Sequence, residues 1–182
     1  MRASTPLPLP TIVRTVAVLP PNNRTDDPLL AASDSFWDPY APRAKPVTVA
    51  DVLVAEARLQ LERRGFTVTP VETVERALGN HTPGSPQEAA DLAAQGKLEG
   101  NVLYIEIIRW EPDVPIHPQL VLVALEASLI EVATGRVVWT TPRALRPTPT
   151  PGAISRWVAY MIAAREVTKE LLSPWGPEQP DS

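Results

Sequence analysis

Proline is the strongest constraint on this chain. There are 22 prolines in 182 residues, where the usual abundance of about 5% gives about nine. They cluster at Pro6, Pro8 and Pro10, at Pro20 and Pro21, from Pro112 to Pro118, at Pro147, Pro149 and Pro151, and after Leu172. Because proline fixes φ and lacks an N–H, each cluster is expected to lie outside the periodic segments. The chain is therefore cut into short elements, and its length suits one domain with generous loops.

Between the clusters the composition is that of a globular domain, with 44% hydrophobic and 21% charged residues. The net charge is −4 with both signs interspersed, so there is no basic footprint for nucleic acid and no polybasic patch for acidic lipid. The absence of cysteine excludes disulfides, thiolate metal sites and thiol nucleophiles, and leaves the redox compartment open. No apolar run approaches the 18 or so residues of a membrane span, and the N-terminus lacks the apolar centre of a signal peptide. Read from Met1, the chain looks cytoplasmic. Residues 1–11 read as a flexible proline-rich leader, of the kind that also remains where an export signal has been removed.

The first strand is expected over Ile12 to Leu19, a β-branched run stopped by Pro20 and Pro21. A long loop, 20–47, follows. Thr48 caps a helix over about Val49 to Arg64, ended by Gly65 in a left-handed position, with Ala50, Leu53, Val54, Ala57 and Leu61 on its buried face. Phe66 to Val71 reads as a second strand, parallel to the first in a βαβ unit. Short helices at Glu72 to Leu78 and Pro86 to about Ala94 come next, the second capped by Ser85 with Glu88 in capping-box position. Strands at Asn101 to Trp110, Leu120 to Val132 and Arg136 to Thr141 form an antiparallel meander whose last turn is Ala-Thr-Gly. A buried helix from about Ala153 to Leu172 closes the domain, its stripe running through Ile154, Trp157, Val158, Met161, Ile162 and Leu172 and broadened by Tyr160, Ala164, Val167 and Leu171. The expected architecture is thus a single α/β domain, 12–172, with a central mixed sheet of about five strands flanked by helices, and a flexible tail at 173–182.

Motifs for chemistry are scarce. His81 and His117 sit far apart in loops, which supports neither metal binding nor general base catalysis, so no cofactor and no metal are expected. No phosphate loop, nucleophile elbow or His-Glu-x-x-His pattern is present. Glu106 and Glu126 interrupt neighbouring apolar strands and are the best candidates for paired carboxylates acting on a glycan or small metabolite; the stronger reading is that an alternating glutamate is what the wet face of an antiparallel sheet carries. Trp37, Tyr40 and Trp110 are rings in proline-rich loops, which either dock a partner or plug the loops onto the domain itself. Val52 and Leu59 lie opposite the buried face of the first helix, under the long loop or against another chain. Trp139 and Trp157 lie on periodic elements and read as core.

Four strings carry a family resemblance: Val16-Ala-Val-Leu-Pro-Pro-Asn-Asn23, Leu61-Glu-Arg-Arg-Gly-Phe-Thr-Val68, Val102-Leu-Tyr-Ile-Glu-Ile107 and Glu131-Val-Ala-Thr-Gly-Arg-Val-Val-Trp139. In order and spacing they resemble the α/β domain of bacterial envelope lipoproteins, a group that includes predicted lipoproteins of unknown function, penicillin-binding-protein activator lipoproteins, the curli secretion lipoprotein and the TolB N-terminal domain. The resemblance implies a periplasmic, non-enzymatic module that supports an envelope complex by binding a protein partner or a second copy of itself. It carries over no catalytic residue. The chain departs from the pattern in having no lipid-anchor cysteine, so a membrane tether is implied only if a lipidated cysteine has been removed.

Overall fold

A computed structural model describes residues 13–27, 30, 47–141 and 144–176. Trp37 and Tyr40 lie outside the described residues. The parallel βαβ start is present: β1 (Thr15–Val18) pairs in parallel with β3 (Thr67–Val68), and α1 (Val49–Arg63) connects them. Thr48 caps α1 through a full capping box with Asp51, and Gly65, at φ 79°, turns the chain out of the helix. The second strand stops short of Val71 because Pro70 caps α2 (Val71–Leu78), making Val71 helical. Ser85 Oγ accepts from Glu88 N at the start of α3 (Pro86–Gln95), while the Glu88 carboxylate reaches one residue further back, to Gly84 N at 2.7 Å.

Strands β4 (Asn101–Pro112) and β5 (Leu120–Glu131) form the long central hairpin, and β6 (Arg136–Thr140) pairs with the second half of β5. Two strands were not legible. Asn22–Asn23 forms β2, which continues β1 along β4, pairing opposite Glu106 and Ile107. Leu145–Pro149 forms β7, antiparallel to Leu120–Ala124 of β5. The sheet therefore has seven strands in five positions, ordered β3, β1 with β2, β4, β5, then β6 with β7. It is a mixed open sheet in a single α/β domain with four helices.

That β7 contains Pro147 and Pro149 corrects the expectation that proline lies outside regular structure. Thr150 N donates to Gln119 O at 2.8 Å, which places the even-numbered residues on the bonded side; the ring nitrogens of Pro147 and Pro149 face away from β5, along the outer edge. Proline is tolerated there because no ladder bond is lost.

The helices cover both faces. On one, α1 and α4 (Arg156–Leu172) pack over Val16, Val18, Leu103, Ile105, Ile107 and Leu129. On the other, α2 and α3 cover Ala17, Leu19, Val102, Tyr104 and Ile130. The α4 stripe is centred on its expected broadening side: Tyr160, Ala164, Val167 and Leu172 are buried together with Ala159 and Ala163, while Trp157, Val158, Met161 and Ile162 are half-buried and Ile154 is 74% exposed before the Ser155 cap. Small alanines allow close approach of α1 and α4, which larger side chains at those positions would prevent. The buried face of α1 also holds polar groups. Gln60 Nε2 donates to Glu56 Oε1 at 2.8 Å, Arg64 Nη1 donates to the Gln60 carbonyl at 2.9 Å, and Arg64 Nε donates to Gly176 O at 3.0 Å.

Order continues past Leu172, where the sequence suggested a frayed tail. A 3₁₀ turn at Ser173–Trp175 drives Trp175 into the core at 5% exposure, edge-on to Trp139 at 4.9 Å and tilted on Phe66 at 5.6 Å.

Candidate functional site

The two candidate carboxylates do meet. Glu106 and Glu126 are direct partners across β4 and β5, so their side chains project from the same face. Glu106 is nevertheless built into an internal network. Its Oε1 accepts from the Tyr104 hydroxyl at 2.8 Å, Arg24 lies 3.6 Å from its Oε2, and Asn22 Nδ2 donates to the Tyr104 oxygen at 3.3 Å. Glu126 is also engaged rather than free. Burial, and then donation to Glu106, pushes the Tyr104 hydroxyl well above the ordinary tyrosine pKa. This is a satisfied polar cluster at the end of the α2 and α3 cover.

A cleft of about 400 Å³ opens elsewhere, lined by Thr25, Asp26 and Asp27 on one side, Ile108 to Pro112 on the second, and Arg156 and Tyr160 of α4 on the third. Neither candidate glutamate lines it. Its polar floor is the Tyr160 hydroxyl, which donates to Asp27 Oδ2 at 2.9 Å; burial first, and this bond second, raise the pKa of that hydroxyl as well.

Trp110 is corrected from a surface ring to a buried one. It is 2% exposed and stands edge-on to Tyr160 at 6.1 Å. The cause is a β-bulge: the register with β5 shifts between Ile107 and Arg109, so the extra residue reverses the alternation and turns Trp110 toward α4. Val52 packs against the core under partial cover, while Leu59, two turns further along the same side of α1, remains 39% exposed. His81 and His117 are exposed and lie on separate loops. Among the described residues no three His, Cys, Asp or Glu side chains converge, and no helix is long and apolar enough to cross a membrane.

No protein-family model matches the chain, and no curated protein sequence matches it. The fold is one that the chain shares with solved structures of bacterial proteins, a lipoprotein among them. Among solved structures the chain is similar to the PelC dodecamer from Paraburkholderia phytofirmans, at 18% identity and a TM-score of 0.55 over 93% of this chain and 94% of that one. It is also similar to Lipoprotein GNA1162 from Neisseria meningitidis, at 17% identity and a TM-score of 0.50, covering 88% of this chain and 98% of that one. The LpoB C-terminal domain from Salmonella enterica aligns at 20% identity over 74% of this chain and 82% of that one, with a TM-score of 0.43. The first two carry the likeness, and at these identities what is shared is the fold.

Proposed function

We propose that the chain is a non-enzymatic binding and assembly domain of the bacterial cell envelope, a periplasmic, lipoprotein-like accessory protein that supports an envelope complex. The observation that carries this reading is the likeness to the PelC and GNA1162 folds over nearly the whole length of all three chains. The inward-drawn Glu106 supports it too, since its carboxylate holds Tyr104 and Arg24 instead of facing a cleft. The contact surface we assign is the outer face of α1 at Leu59 and Val52, together with Trp37 and Tyr40 of the long loop. A second copy of the chain is one partner to test, because the PelC structure is described as a dodecamer.

A photo-crosslinking amino acid in place of Leu59, in the natural gene product expressed in its own host, tests the reading. The expected result is a chain recovered in the envelope fraction and shifted to a larger adduct on illumination, with the adduct lost when Val52→Glu is added. Recovery in the cytoplasmic fraction, with no adduct, would overturn it.

A further inference from the structure

The sheet reverses its winding at one place. From β1 the chain crosses through α1, on one face, to β3; from β3 it returns through α2 and α3, on the other face, to β4 on the opposite side of β1. In open α/β sheets such a reversal leaves a crevice beyond the carboxyl ends of the two strands, because the connections leave in opposite directions, and ligands bind there. Here the ends are Asn23 of β2, which extends β1 along β4, and the last residues of β4. The cleft between Thr25–Asp27 and Ile108–Pro112 occupies that crevice. Its volume lies within the roughly 300–1,000 Å³ of small-molecule sites.

Its lining holds three acids, Asp26, Asp27 and Glu111, and two arginines, Arg109 and Arg156. The charges are unevenly used. Arg109 and Glu111 bind each other at 2.7 Å, and the Tyr160 hydroxyl holds Asp27. Asp26 and Arg156, both exposed and on different walls, have no ion-pair partner among the described residues. Arg156 is also the first residue of α4, where the helix end adds partial positive charge. A simple anion would face three acids against two arginines in this lining, and a simple cation would leave Arg156 unmatched.

We propose that the cleft binds a small zwitterion of the amino-acid or dipeptide class, its carboxylate on Arg156 at the α4 N-terminus and its ammonium on Asp26. This goes beyond the partner reading above, which needs no small ligand, and either can fail without the other. Titration calorimetry of the full chain with alanine, alanylalanine, N-acetyl-alanylalanine and alanylalanine amide tests it. The expected result is saturable binding of alanine or alanylalanine, with each blocked dipeptide about tenfold or more weaker, or about 1.4 kcal/mol per end. Arg156→Gln should weaken the parent compound and leave the amide unchanged, and Asp26→Asn should weaken the parent and leave the acetylated form unchanged. Both residues are exposed, so the variants should melt like the parent chain. No saturable binding of alanine and alanylalanine up to about 10 mM, equal affinity for the blocked forms, or indifference to both substitutions would each overturn the proposal.

Discussion

The Tyr104 hydroxyl is 1% exposed as a residue and donates to a carboxylate that is itself 5% exposed. Removing its proton would place two negative oxygens together out of water, so the folded state holds that proton to higher pH than the unfolded chain does. Tyr160, donating to Asp27, behaves alike. Below the unfolded tyrosine value of about 10 both states carry the proton and the full stability is present; above it only the unfolded chain releases protons, and stability falls. Urea melts should therefore be flat in this respect from pH 7 to about 9 and decline toward pH 11. Tyr104→Phe should begin about 1–3 kcal/mol lower at pH 7, since Glu106 loses its donor, and should show a shallower alkaline decline. A parent curve flat through pH 11 would contradict this account. Residue-level legibility failed where alternation did. Glu106 and Glu126 were readable as a pair because the register is regular at their level, whereas Trp110 lies beyond a bulge that shifts the parity. Nothing in Ile107-Ile108-Arg109 announces a bulge, since all three residues suit a regular strand.

Among the elements, β7 is where sequence rules were read too strictly. Pro147 and Pro149 stand two apart, and so does Pro151, which is the period of a strand. A Pro-Thr-Pro alternation beside an antiparallel meander can therefore signal an edge strand with proline at successive outward positions, here Pro147 and Pro149. The consequence is protective, because an outer edge that lacks N–H donors at two of its three outward positions is a poor template for another strand. Restoring those donors with Pro147→Val and Pro149→Val should leave the register on β5 intact, since neither ring nitrogen faces it. It should also raise concentration-dependent association, measured by light scattering over a dilution series. A double variant as monodisperse as the parent would show that β6, not β7, governs the edge. The centre of the α4 stripe was misplaced for a different reason, although Tyr160, Ala164, Val167 and Leu172 were read correctly as buried. Trp157, Met161 and Ile162 outweigh alanine in any hydrophobic count, yet the close approach to α1 selects the alanines for the buried side. The ends set by Thr48, Ser85 and Gly65 were legible, because these residues act on the backbone next to them and need no tertiary contact to do so, whereas the Ser155 cap of α4 was missed.

For the whole molecule, the chain end acts as a clamp across parts far apart in sequence. Trp175 touches Phe66, just after α1, and Trp139, on β6, while Arg64 holds the next carbonyl at Gly176. Those contacts join the first crossover, the last meander strand and α4 around one ring, so the domain is closed by residues whose proline-rich setting reads as tail. The Arg64 guanidinium is itself aimed by the Gln60 side of the buried polar ladder on α1, which makes the clamp sensitive to both ends. Truncating a buried tryptophan typically costs about 3–5 kcal/mol. In a domain of this size that corresponds to roughly 2–4 °C in melting temperature per kcal/mol. Trp175→Ala should accordingly lower the melting temperature by roughly 6–20 °C while the far-ultraviolet dichroism at 20 °C stays that of the parent. Arg64→Ala should act in the same direction with a smaller effect, and the double variant should fall short of the sum, because both act on one docked turn. Strict additivity would mean that the ring and the carbonyl are held independently, and an unchanged Trp175→Ala melt would mean that the turn contributes nothing to closing the domain.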